Sequence, residues 1–307
     1  MTATHTHPAH PSLPGLQPQA QAVTVPVVEQ VQLARDTWRL RLACPEIAAR
    51  VTPGQFFMVR EPGTTEPLLG RPFALYDTWL DDSGRVAGVD IVYLVVGKMT
   101  RVMTGWRTGD PVELWGPLGN GFPVPPVKNL LLVAGGIGNT PFLAVGREAV
   151  GGRAYGDPGR TLSARPERLR FVYGARSRDY LAGLDDFAAA GVDVQVATDD
   201  GSAGHKGFVT ELARATLVEW QADSPTTPGT PDTAIYCCGP EPMMHAVAQL
   251  AEQTGVRCWL SLETPMACGF GACFSCVTKV HLPDGGWDYR RTCVEGPIFP
   301  AHELCWE

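Results

Sequence analysis

The sequence predicts a multidomain α+β chain in three parts: an antiparallel β-barrel, a doubly wound parallel α/β domain, and a small cysteine-rich C-terminal domain. Three changes of pattern predict it. Up to about residue 126, apolar residues alternate with period two between Gly and Pro. From about residue 127, short apolar runs alternate with helix-like segments, the order expected of a parallel sheet. Beyond about residue 264 the periodicity stops, and four of the nine cysteines fall within residues 268–293.

A chain of 307 residues is long enough for two or three cores. Its 44% hydrophobic and 19% charged content is that of a globular protein in water. A net charge of −7 offers no basic surface to nucleic acid or an anionic membrane. No apolar run has the length of a membrane-spanning helix, and residues 1–20 lack the apolar core of a signal peptide, so a cytoplasmic location is expected. In that setting an odd, clustered set of cysteines reads as a metal site rather than a disulfide framework. Cys44, Cys237, Cys258 and Cys305 read mostly as small buried hydrophobes.

Residues 1–20, rich in Pro, Gln and His, predict a disordered tail in which His5, His7 and His10 are solvated. Residues 21–126 form the barrel, with strands expected around Trp38–Leu42, Gln55–Val59, Ile91–Val96 and Pro111–Trp115. Residues 127–263 carry the α/β pattern. Apolar runs begin at Leu130, Leu169, Val192, Thr233 and Cys258, with helices expected over 179–190, 210–220 and 240–254. The stretches 151–168 and 221–232 read as surface insertions. Residues 264–307 hold one hairpin candidate, 277–289, and too few apolar residues for a core without a metal centre.

The strongest motif is Cys268-x4-Cys273-x2-Cys276-x16-Cys293. This is plant-type [2Fe–2S] spacing, and Gly269 and Gly271 allow the loop to wrap a small anionic cluster. Structural zinc is the rival, but it normally takes paired C-x2-C arms, and only one arm is present. Arg71-Pro72-Phe73-Ala74 places a guanidinium suited to phosphate beside a rigid turn. Gly97-Lys98-Met99-Thr100 follows a strand as a helix cap would, and 116–122 is a glycine-dense turn. Gly135-Gly136-Ile137-Gly138-Asn139-Thr140-Pro141 closes a strand as a dinucleotide loop does, with Pro141 in place of the last glycine. Thr198 to Ser202 and Cys238-Gly239-Pro240 lie at other strand ends, where parallel sheets bind ligands. Cys238 reads equally as a residue lining such a site or as a packed thiol.

Taken together and in this order, these motifs resemble the ferredoxin–NADP reductase superfamily over residues 21–307. The segment Glu263–Cys273, with Cys293 to Phe299, is similar to the electron-transfer subunits of dihydroorotate dehydrogenase B. The resemblance implies FAD held by Arg71, Pro72, Phe73 and Ala74, by Val92, Tyr93 and Leu94, and by Met99 and Thr100. It implies NAD at Gly135, Gly136, Gly138 and Pro141 and at Cys238, Gly239 and Pro240, and [2Fe–2S] on the four cysteines. The partner it implies is an FMN-containing catalytic subunit that oxidises dihydroorotate in pyrimidine biosynthesis. A module of a hydrogenase or a ferredoxin:NAD(P) oxidoreductase is the related alternative. A zinc-stabilised or redox-sensing binding protein is the non-enzymatic one. Ala74 departs from the usual Ser or Thr, and Met99 from the usual Gly. No acid or base is expected among the catalytic parts. Arg176 and Arg178 are candidates for a 2′-phosphate contact, which leaves NAD against NADP open.

Overall fold

A computed structural model describes residues 19–160, 162, 164–223 and 232–306. The tail expected to be disordered, with its three histidines, lies outside the described residues except at its last two positions. So does most of the 221–232 stretch.

Six strands close the barrel: β1 (Gln21–Ala34), β2 (Thr37–Ala43), β3 (Phe56–Arg60), β4 (Arg71–Leu80), β5 (Val86–Leu94) and β6 (Pro111–Leu118). They follow the order β1-β2-β5-β4-β3-β6, every pair antiparallel. Closure leaves no open sheet edge. The alternation read in the sequence points Leu40 and Leu42 inward, where they meet Ile91, Val112 and Leu114. Two six-residue helices, α1 (Pro45–Arg50) and α2 (Lys98–Met103), join the strands. The Arg71-Pro72 pair, expected beside a turn, instead begins a ten-residue strand.

The second sheet holds β7 (Asn129–Gly135), β8 (Arg168–Ala175), β9 (Asp193–Thr198), β10 (His205–Lys206), β11 (Thr233–Cys238) and β12 (Arg257–Ser261). Its order, β10-β9-β8-β7-β11-β12, is parallel throughout. The helices are α3 (Phe142–Ala149), α4 (Leu184–Ala189), α5 (Val209–Asp223) and α6 (Glu241–Thr254). Both faces of β7 are covered. Leu131 and Val133 pack with residues of α5 and α6, whereas Leu130, Leu132 and Ala134 pack with residues of α3 and α4. One expected helix is shorter than the sequence suggests. Gly183, in the left-handed region at φ 75°, separates a short turn at Arg178–Tyr180 from α4.

The C-terminal segment forms a hairpin, β13 (Val277–His281) and β14 (Trp287–Arg291), then a three-residue strand, β15 (Ile298–Pro300). β15 pairs antiparallel with β12 and becomes the seventh strand of the parallel sheet. Three residues are too few to show a period, so sequence reading misses it.

The described residues of the 151–168 stretch are mostly exposed, as expected of a surface insertion, but the segment is anchored inward at several points. Tyr155 is buried, and its hydroxyl donates to Asp77 Oδ1 of β4 at 2.7 Å. Arg147 of α3 and Arg153 pair with the same buried carboxylate. Arg160 pairs with the buried Glu148 of α3 and donates to the Phe122 carbonyl at 2.6 Å. These contacts tie barrel strand β4 to helix α3.

Candidate functional site

The four cysteines come together as two pairs. Cys276 Sγ lies 3.2 Å from Cys293 Sγ, and both residues are buried. Cys268 and Cys273 form the other pair, and Cys273 is exposed. Hydrogen bonding to Ser275, whose Oγ is 3.1 Å away, draws the Cys273 thiol down to about 6. Burial, with the Cys276 thiol beside it, pushes Cys293 up. Four thiolates in C-x4-C-x2-C-x16-C spacing, with a single C-x2-C arm, fit [2Fe–2S] better than a zinc site built on paired arms.

The loop is shaped from three directions. Gly269 and Gly271 take φ of 79° and 83°, and a Cβ on Gly269 would stand 2.5 Å from Met58 Cγ of β3. Phe274 is also left-handed at φ 56°, with the Arg291 guanidinium 5.2 Å from its ring centre. Arg291 further donates to the Gly271 carbonyl at 3.1 Å and pairs with Glu295. Thr292, fully buried, donates from its backbone N and from Oγ1 to the Cys276 carbonyl at 2.8 and 2.9 Å. From the barrel, Trp115 Nε1 donates to the Cys268 carbonyl at 2.9 Å. Asn120 donates to the Glu295 and Ile298 carbonyls and accepts from Ile298 N. The glycine-dense turn at 116–122 is thus a clamp on the cluster segment.

Arg71, Pro72, Phe73 and Ala74 are consecutive half-buried residues in β4, followed by the buried run Leu75–Thr78. Arg71 Nη1 is held by the carbonyls of Leu69 and Gly70 at 2.9 and 3.0 Å. Among the described residues no carboxylate pairs with it, so its guanidinium fits a phosphate. β5 runs beside β4, which brings Val92, Tyr93 and Leu94 to the same region, and Phe73 meets Tyr93 edge-on at 6.0 Å. Met99 and Thr100 are turned inward, as Val92 and Tyr93 are. Met99 is buried in the barrel core, and the Thr100 hydroxyl accepts from the backbone N of Val96 and Gly97 to cap α2. Neither side chain is presented outward, so contact with a cofactor falls to their backbone.

Gly135–Pro141 and Cys238–Pro240 meet at the C-terminal ends of β7 and β11, which are adjacent. The chain turns from β7 toward β8 on one side and reaches β11 on the other, so this crevice is the switch point where such sheets bind ligands. The glycines divide by role. A Cβ on Gly135 would stand 2.6 Å from Met243 Sδ, and one on Gly138 would strike the Cys238 carbonyl. Gly136, at φ 56°, faces open space. Pro141 precedes α3 after a 3₁₀ turn, Gly136–Asn139, instead of lying within the helix. Burial pushes the Cys238 thiol up to about 12, and the part-buried residue packs against the apolar cluster beneath the crevice. Arg176 and Arg178 are exposed past the end of β8.

Family models match along the chain. An oxidoreductase FAD-binding domain covers residues 24–122, an oxidoreductase NAD-binding domain covers 132–249, and the iron–sulfur cluster binding domain of dihydroorotate dehydrogenase B covers 263–305. The dihydroorotate dehydrogenase B (NAD(+)) electron transfer subunit of Desulforamulus reducens is 33% identical over 283 residues, 92% of this chain and 97% of that protein. The chain belongs to this family. The Bacillus caldolyticus member is 34% identical over 281 residues, 91% of this chain and 96% of that one. Among solved structures, the NADH-dependent reduced ferredoxin-NADP oxidoreductase aligns with a TM-score of 0.72 and 28% identity, over 92% of this chain and 90% of its own. Phthalate dioxygenase reductase shares the fold, with a TM-score of 0.55 and 19% identity. As a member of the electron-transfer subunit family, this chain has a barrel that binds FAD, a parallel sheet that binds NAD and a C-terminal segment that binds an iron–sulfur cluster. No described helix is long and apolar enough to cross a membrane.

Proposed function

We propose that the chain relays electrons between NAD(H) and the FMN of a separate catalytic subunit, by way of FAD and [2Fe–2S], in the oxidation of dihydroorotate. One observation carries the order of the relay. Val92, beside the FAD motif, shares an apolar cluster with Ile137 of the NAD loop. On the opposite side, β3 and β6 carry Met58 and Trp115 against the cysteine loop. Both contacts fall on the FAD-motif strands or on strands paired with them, which supports placing FAD between the other two sites. That order suits the chemistry, because nicotinamide exchanges a hydride, a cluster exchanges single electrons, and a flavin does both.

The residues supply placement rather than acid or base chemistry. In this reading Arg71 holds phosphate, Gly136 gives a nucleotide backbone room to approach, and Cys238 packs as a neutral thiol. Domain boundaries at 21–126, 127–263 and 264–307 belong to the same proposal. So does a cytoplasmic location, which agrees with nine cysteines free of disulfides.

The test is purification of the native complex, with its flavins and metals identified. A partner chain with FMN and dihydroorotate-dependent NAD⁺ reduction support the proposal. A second reading, a ferredoxin:NAD(P) oxidoreductase module, draws on the 0.72 TM-score alignment. A ferredoxin-reducing partner without dihydroorotate activity would replace the first reading with it.

A further inference from the structure

We propose that Trp115 is a positioning residue that fixes the cysteine loop against the FAD-motif strand. The inference rests on the relay reading above and names the side chain that sets the junction between its two barrel-side stations.

Trp115 lies in β6, opposite Met58 of β3, and Met58 lies opposite Pro72 of β4. Its indole leaves the barrel core and is half-buried in the satellite cluster of Phe56, Met58, Leu118, Met266, Cys276, Cys293 and Val294. Two contacts fix the ring. Nε1 donates to the carbonyl of Cys268, a cluster cysteine, at 2.9 Å. The adjoining Cζ2–Cη2 edge of the six-membered ring lies against Gly70, immediately before Arg71, where an added Cβ would stand 2.5 Å from Cη2 and 3.2 Å from Cζ2. One rigid side chain thus spans from the residue that precedes the FAD motif to the backbone of a cluster cysteine. An indole has two torsions, so holding it costs little conformational entropy. Phe keeps an aromatic ring in the apolar cluster but loses the donor and the full reach to Gly70, and Leu loses the ring as well.

The experiment uses the full subunit loaded with FAD and cluster, as parent, Trp115→Phe and Trp115→Leu. Three quantities are read: cluster release to a chelator, the circular dichroism of the cluster bands, and stopped-flow bleaching of the flavin and cluster bands after NADH. Trp115→Phe is expected to speed release about two- to twelvefold, the factor that one ordinary hydrogen bond is worth, and to shift the dichroism. Trp115→Leu is expected to add a slowing of cluster reduction of up to about a hundredfold, the cost of an ångström misplacement. Flavin reduction by NADH stays at the parental rate in both. Parental release, dichroism and cluster reduction in both variants would overturn the role of Trp115. Equal loss of flavin and cluster reduction in Trp115→Leu would overturn it too, because it would mean a general packing defect. Failure of NADH to bleach the parent's flavin would count against the relay reading, while the chelator comparison still decides on Trp115.

Discussion

The three glycines of the Gly135–Gly138 loop show how far one residue type can hide different roles. Gly135 and Gly138 serve chain-to-chain contact with Met243, Pro240 and Cys238, and only Gly136 faces open space with a left-handed φ. Gly138→Ala therefore drives a methyl into a backbone carbonyl that β11 holds in place. Overpacking of this kind costs about 1–3 kcal/mol or more, and denaturant titration should show the loss. Gly136→Ala meets no neighbour but keeps an unfavourable φ, at about 1–2 kcal/mol. If the nucleotide backbone approaches there, its larger effect should be a raised KM for NADH. An unchanged KM would move the approach point elsewhere. The glycine pattern was legible in the sequence, but the division of labour was not, because it depends on what β11 places opposite each Cα. The same holds for Trp115, Asn120 and Thr292. Their hydrogen bonds reach 153, 175 and 16 residues along the chain, and no local motif announces such a contact.

At the scale of elements, long periodic segments were readable and short or interlocked ones were not. The apolar runs of β7 and β11 and the periods of α5 and α6 declare themselves over six residues or more. β15 is three residues long and declares nothing. The 151–168 stretch is largely solvated, as its Gly and Arg content suggests, but its anchors were not legible: Tyr155, Arg153 and Arg160 turn inward to buried carboxylates. Asp77 is the centre of this join. Burial holds its carboxyl above the usual range, against the opposing pull of Tyr155, Arg147 and Arg153. Tyr155→Phe removes one hydrogen bond to a charged group and should cost about 1.5–3 kcal/mol. Asp77→Ala leaves two guanidinium groups without their carboxylate and should cost about 3–5 kcal/mol. A true surface loop would give changes within about 0.5 kcal/mol, so chemical denaturation of Tyr155→Phe separates the two descriptions.

For the whole molecule, the question is whether the cysteine segment is an outlet or a structural staple. It is tied down twice without any metal: β15 is part of the parallel sheet, and Asn120 clamps the backbone of Glu295 and Ile298. The cysteines flank the hairpin, three at 268–276 and one at 293, outside these anchors. Removing iron should therefore loosen residues 264–294 while β15 and β12 keep their protection, a pattern hydrogen exchange can resolve. Cys273→Ser tests function on the same logic. Cys273 is the exposed member of its pair, and its neighbours Phe270 and Phe274 are exposed as well. Its loss removes one thiolate from one iron without opening a cavity in the barrel or the sheet. Electron transfer to the catalytic subunit should be abolished, whereas NADH should reduce the flavin at close to the parental rate. If both activities fell together, the segment would be holding the FAD strands in place, and Met58 and Trp115 would be the contacts through which it does so. If only the first falls, the order inferred from Val92, Arg71 and Trp115 stands, with the cysteines at its end.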